Sequence, residues 1–264
     1  MKRLPYILLL LAYVLVMSAT HIHAEFNSKA PCKDIDLAWL NRHANIPNAR
    51  IVSRQGLDGL CEVILKIGKD YIPVYAGKTF ILTGEMFKGK KAVTGPKIKA
   101  FKKADIRKNI QKLDCAAAFE YKPPVSKNRT IYMITDPLCS YCSYAAEHIK
   151  EIADKYGATV KAVLYPIHGD RAKGEGKGYD KSMETICRKF DLDQYVASDW
   201  KNAPVSEKYW CQKGKDLLAA SADVIGRLNI EGAPVFILDT GAKITGADLP
   251  ALEKELEKAA KEHT

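Results

Sequence analysis

Thr135-Asp136-Pro137-Leu138-Cys139-Ser140-Tyr141-Cys142 is the stretch whose reading decides the fold. Just upstream, residues 130–135 carry the apolar side chains Ile131, Met133 and Ile134, a short buried-strand pattern. Downstream, residues 140–156 set Ala145, Ile149, Ile152, Ala153 and Tyr156 on or near one helical face. The two cysteines therefore stand where a strand runs into a helix. Free N–H groups and the dipole at a helix start favour a thiolate on Cys139. Cys142, one turn further on, is close enough to attack a mixed disulfide formed there. Such a pair can trade one disulfide for two thiols. The plainer readings are an inert bridge and half of a zinc site. No second CxxC or CxxH pair follows, so no metal is expected.

Outward from this stretch, residues 158–165 read as a second strand, and 180–190 and 213–228 as helices. A buried-type strand at 234–238 precedes a hairpin partner at 242–245, and Asp248 and Pro250 open a last helix over 249–262. A strand-helix-strand start and a hairpin-helix finish, with helices inserted between, is the layout of the thioredoxin fold. The catalytic domain is placed at 125–264.

Residues 25–98 read as a separate small α+β unit: a helix over 34–44, then strands at 49–53, 60–67, 71–75 and 79–83, divided by Gly-rich breaks. At about 70 residues its core is marginal, so pairing with a second copy and a Cys32–Cys61 bridge are the expected supports. Residues 99–124 form the link. Within it 99–118 read as one helix with a single narrow apolar stripe (Ile106, Ile110, Leu113), which suits a solvent-exposed spacer ended by Pro123 and Pro124.

The chain opens with Lys2 and Arg3, an apolar run over 6–17 and a Ser-Ala-Thr-His-Ile-His-Ala exit, the pattern of a secretory signal peptide over 1–24. Cleavage after Ala24 or after Ala19 fits that pattern. An exported protein of about 240 residues has room for two modest domains. The full chain has 41 Lys and Arg against 31 Asp and Glu. The basic residues are scattered among acids, and export argues against a nucleic-acid partner. All seven cysteines lie beyond the leader. Export permits disulfides, and the odd count leaves one thiol free or paired with another chain.

With these residues in view, the chain resembles the periplasmic DsbC/DsbG disulfide isomerases, nearer DsbC. Tyr71-Ile72-Pro73-Val74-Tyr75-Ala76-Gly77-Lys78-Thr79-Phe80 and the residues to Phe87 are similar to that family's dimerisation-domain hairpin. Thr135-Asp136 before Cys139-Ser140-Tyr141-Cys142 resembles its catalytic entry, and Gly232-Ala233-Pro234 its cis-proline loop. Ala233 stands where DsbC-like proteins usually carry threonine, Ser140-Tyr141 replaces Gly-Tyr, and Cys115 is extra. The resemblance implies a thioredoxin-like domain with a helical insertion, preceded by a cystatin-like α+β dimerisation domain and a linker helix. It implies a Cys187–Cys211 structural bridge, a homodimer, misoxidised or unfolded exported proteins as substrates, and a DsbD-type membrane reductase as electron donor.

The roles follow. Cys139 is the expected nucleophile, exposed and with a depressed pKa, and Cys142 the more buried resolving thiol. Pro234 is expected cis, with Ala233 offering backbone groups to substrate. Ser140 and Tyr141 tune thiolate stability and access. Asp136 either moves protons near Cys142 or caps the helix. Cys115 reads as a free buried thiol, and His168 as a loop histidine, more often merely exposed. No cofactor is expected. The function expected is isomerisation of wrong disulfides in the periplasm, possible chaperone activity included. The rivals are a reductase (for sulfenylated cysteines or cytochrome c maturation), a net oxidase, and a holdase whose cleft matters more than its thiols.

Overall fold

Asp58 and Gly59 take positive φ (49° and 81°), the geometry of a two-residue hairpin turn. They fold the chain back between strands β1 (Ala49–Leu57) and β2 (Leu60–Ile67). The computed structural model describes residues 32–168 and 176–261 and divides into two units, ending at Met86 and starting at Phe87. In the first unit, β3 (Asp70–Ala76) and the edge strand β4 (Ile81–Thr83) complete an antiparallel sheet in the order β1-β2-β3-β4. Cys61, Val63, Leu65, Val74 and Ala76 bury one face with Ile35 and Leu40 of the helical segment.

That segment's helix, α1 (Leu37–His43), starts later than the 34–44 pattern suggests. Asp36 acts as N-cap, accepting from Trp39 N at 2.7 Å. β1 runs four residues beyond the expected 49–53 because register with β2 continues through Arg54↔Val63 to Leu57↔Leu60, whatever the polarity of Arg54 and Gln55. β4 begins only at Ile81, after a turn in which Gly77 N donates to Phe80 O. Cys32 and Cys61 are joined by a disulfide.

The second unit opens with a short hairpin, β5 (Phe87–Lys88) and β6 (Lys91–Ala92). The expected spacer helix is two helices, α2 (Thr94–Arg107) and α3 (Ile110–Cys115). The narrow stripe does not lie on a solvated rod: Ile106 and Leu113 are buried in the core with Val224 and Ile225. After it comes β7 (Phe119–Tyr121), which the helical reading of 99–118 and the following prolines concealed.

Strand β8 (Arg129–Thr135) leads into helix α4 (Ser140–Tyr156) and strand β9 (Ala158–Leu164), with Gly157 in the left-handed region (φ 64°) ending the helix. The inserted helices are α5 (Lys177–Cys187), α6 (Leu192–Val196), α7 (Asp199–Asn202) and α8 (Gln212–Arg227). Strands β10 (Val235–Leu238) and β11 (Lys243–Thr245) and helix α9 (Leu249–Lys261) finish the chain.

The sheet order is β11-β10-β8-β9-β7, with β8 and β9 parallel and the other pairs antiparallel. Strand periodicity divides the core. Ile131, Met133, Phe236 and Leu238 face one cluster with Ile149 of α4 and Leu252 of α9. Tyr132, Ile134, Val235 and Ile237 face the other, with Leu113 of α3 and Val224 of α8. A βαβ start and a ββα finish on one mixed sheet, helices on both faces, is a thioredoxin-like fold. The insertion is stapled by the Cys187–Cys211 disulfide, with a sequence separation of 24, from the last residue of α5 to the N-cap of α8. A loop of that size is worth about 3 kcal/mol to the folded state.

Candidate active site

Cys139 is the N-cap of α4, with extended backbone (φ −85°, ψ 121°) and no side-chain cap on the helix. Its carbonyl accepts from Ser143 N at 3.0 Å, which closes the first turn. The amides of Ser140, Tyr141 and Cys142 before it have no intrahelical carbonyl to meet.

Cys139 is not exposed as expected: only 7% of it is accessible. The cover comes from a loop 94 residues away, where the Ala233 carbonyl oxygen lies 3.7 Å from Cys139 Sγ. The Ala233–Pro234 peptide bond is cis, and Ala233 is half-buried. The structure thus brings Cys139, Cys142, Ala233 and Pro234 together from two strand ends, β8 and β10.

Cys142 is wholly buried. Its Sγ accepts from Asp136 N at 3.4 Å. Burial pushes the Cys142 thiol well above the usual cysteine range, and the Asp136 amide and Thr135 hydroxyl work against that shift while Cys139 adds to it. Neither cysteine is bridged. Two thiols a turn apart therefore sit in unequal surroundings, one at the N-cap of α4 under the Ala233 carbonyl and one in the core. That arrangement suits a nucleophile and a resolving thiol.

Asp136 does not cap α4. Its side chain is fully buried, and it is a loop clamp. Oδ1 accepts from Leu138 N at 2.7 Å, and Oδ2 accepts from Ile167 N (2.5 Å) and His168 N (3.0 Å). His168 Nδ1 is 2.9 Å from the same oxygen, with the imidazole half exposed. His168 is thus tied to the site through Asp136. No local spacing pattern links residues 32 positions apart, so sequence reading leaves it a plain loop histidine.

Ser140 and Tyr141 are exposed, Tyr141 to 70%. With Tyr144, Ala247 and Asp248 they line an open groove of about 720 Å³ beside the cysteines. Tyr144 escaped the sequence reading, although its spacing of three from Tyr141 was the available signal. Two residues of the insertion, Tyr195 and Lys201, also reach the site, at Thr135 and Ser143, and carry no sequence signature. Cys115 is an exposed thiol, not a buried one, because it falls on the outer side of α3 while Leu113 turns inward. Among the described residues no cluster of metal-ligating side chains occurs, and no helix is long and apolar enough to cross a membrane. The expected leader, 1–24, lies outside the described residues.

No protein-family model and no curated protein matches the chain. Solved structures similar to it include Helicobacter pylori DsbG (16% identity, 76% of this chain and 97% of that one covered, TM-score 0.38). Others are the thiol-disulfide exchange protein α-DsbA2 from Wolbachia pipientis (15%, 61% and 97%, TM-score 0.45) and the catalytic domain of Proteus mirabilis ScsC (16%, 59% and 97%, TM-score 0.45). The thioredoxin-like fold stands on the strand order and connectivity described above.

Proposed function

We propose that this protein is an exported thiol–disulfide oxidoreductase working chiefly as an isomerase on misoxidised or unfolded exported proteins. The observation that carries the reading is the inequality of Cys139 and Cys142: a sulfur at the helix N-cap under the Ala233 carbonyl, backed by a wholly buried thiol. The Cys139 thiolate attacks one sulfur of a substrate disulfide. A Cys139–substrate bond forms, the substrate S–S bond breaks, and its other sulfur leaves as a thiolate. Attack by that or another substrate thiolate releases Cys139 reduced, and the disulfide has moved without net oxidation. Attack by Cys142 instead leaves a Cys139–Cys142 disulfide and a reduced substrate, and a dithiol reductant of the DsbD type must then restore the pair.

Ala233 supplies backbone groups along which an extended substrate pairs, and the Tyr141–Tyr144 groove lies alongside for its side chains. The Cys32–Cys61 and Cys187–Cys211 bridges suit an oxidising compartment and support export. Phe80 and Leu82, 46% and 56% exposed on and next to the edge strand β4, support a dimer formed through the first unit. A dimer would present two active sites to one unfolded chain.

The in-cell thiol state tests isomerase against oxidase. Rapid acid quench and alkylation of the exported protein should find Cys139 and Cys142 mostly as free thiols. A mostly oxidised pair contradicts the isomerase reading and favours a net oxidase.

A further inference from the structure

Behind Cys142 lies a polar cluster that an apolar core has no need of. Tyr195 of α6 is fully buried between Phe119 (ring centroids 5.2 Å) and Trp200 (6.1 Å), where a phenylalanine would pack equally well. Its hydroxyl is instead 2.9 Å from Thr135 Oγ1, and Thr135 is also fully buried. Burying a hydroxyl costs free energy unless it is bonded. With Tyr195 donating to Thr135, the Thr135 O–H is free to donate onward; the amide of the next residue, Asp136, meets Cys142 Sγ at 3.4 Å, and the Thr135 hydroxyl acts to lower the Cys142 pKa.

At the residue after Cys142, Lys201 Nζ donates to Ser143 Oγ at 3.0 Å and stands 5.1 Å from the centre of the Tyr195 ring. The buried ammonium of Lys181 donates to the Trp200 carbonyl at 2.5 Å and to Glu184 Oε2 at 2.9 Å. It thereby fixes the backbone beside Lys201. Burial lowers the Lys201 pKa, while Glu147 and Cys142 act to hold its charge. The groups whose charge or hydrogen bonding couples to Cys142 are therefore Cys139, Asp136, Thr135, Tyr195 and Lys201, with Glu147 coupled to Lys201. Asp136 opposes a second negative charge, but its carboxylate is already bonded to Leu138, Ile167 and His168.

We propose that the helical insertion takes part in the thiol chemistry: Tyr195, through the Thr135 hydroxyl, and Lys201, through Ser143 and its charge, are positioning residues that stabilise Cys142 as a thiolate at the moment it resolves a mixed disulfide. The inference rests on the thiol-exchange reading above. In the step concerned, Cys142 loses its proton to solvent and its thiolate attacks Cys139 Sγ. The Cys139–Cys142 bond forms, the Cys139–substrate bond breaks, and the departing substrate sulfur takes up a proton. The two electrons lost by the cysteine pair reduce the substrate disulfide. Cys142 is buried, so this thiolate is the costly species in the cycle. A hydroxyl donor and a nearby cation lower that cost.

The test uses the reduced protein carrying Cys115→Ser, mixed rapidly with glutathione disulfide, acid-quenched and followed by mass spectrometry. This gives separate rates for formation of the Cys139–glutathione conjugate and for its loss. Tyr195→Phe and Lys201→Met should each slow loss about tenfold at fixed pH and move the rising limb of its pH profile up by about one unit, since one pKa unit is a tenfold change in thiolate. Conjugate formation should slow less, and Lys201→Arg should recover most of the rate. Loss at the parent rate with an unmoved pH profile in both variants overturns the inference and leaves the thiol-exchange reading standing. If the parent protein never forms the conjugate, both fall.

Discussion

Replacing Cys139 by alanine is expected to abolish the reactivation of scrambled, disulfide-rich protein, a loss of about 100-fold or more to the uncatalysed rate. The reason is positional. Cys139 is the N-cap of a 17-residue helix and lies under the Ala233 carbonyl, 3.7 Å from its Sγ. Cys142 is wholly buried with its pKa pushed up by burial, so it cannot take over the first attack. Cys115 is exposed but lies on another helix, at the end of α3. The same assay separates the rival class of function. If Cys139→Ala rescues substrate as well as the parent protein does, the molecule acts by binding unfolded chains and its thiols are incidental.

Replacing Asp136 by alanine is expected to cost about 3 kcal/mol of stability and to slow disulfide exchange as well. The buried carboxylate accepts from three backbone amides, Leu138, Ile167 and His168, and approaches the His168 ring. Hydrogen bonds to a charged acceptor are worth about 1.5–3 kcal/mol each, and donors left without an acceptor add their own desolvation cost, though the terms do not add fully. Asp136→Ala also frees the segment whose own amide meets Cys142 Sγ. Urea unfolding of the disulfide-intact protein measures the effect. His168→Ala should cost about 1 kcal/mol or less, because the ring is half exposed. Equal stability of Asp136→Ala and the parent would show that the clamp bears no load.

The legible parts of this molecule are those built from neighbours in sequence. Helix α4 (Ser140–Tyr156) was readable to both ends, since Pro137 precedes its start, Gly157 stops it, and Ala145, Ile149, Ile152 and Tyr156 repeat at helical spacing. Strand β2 (Leu60–Ile67) was equally plain. Strand β7 was not, because three residues, Phe119-Glu120-Tyr121, carry no periodicity of their own and become a strand only by pairing with Val160–Ala162. The spacer helix misled for a related reason. Its stripe is narrow, but Ile106 and Leu113 are covered by α8, more than 100 residues later in the chain.

At the site, the CxxC pair could be singled out from residue types and spacing, and the Gly232-Ala233-Pro234 loop from the family resemblance. The burial of Cys139 could not, since it depends on the distance of one carbonyl from a distant loop. The partners of Asp136 and the approach of Tyr195 and Lys201 were hidden in the same way. Each joins segments tens of residues apart by one or two polar atoms, and a single sequence records no trace of such pairings.

The central claim is that Cys139 takes substrate sulfur and Cys142 releases it. Replacing Cys142 by alanine removes the protein's own release route, leaving only attack by a substrate thiolate, and should make the intermediate accumulate. The measurement is mass spectrometry of the non-reduced Cys142→Ala protein after incubation with a scrambled, disulfide-rich substrate. The account predicts a conjugate that persists without reductant, dissolves with it, and maps to the peptide bearing Cys139. A conjugate mapping to Cys115, or none at all while the parent protein still reshuffles the substrate, would contradict it.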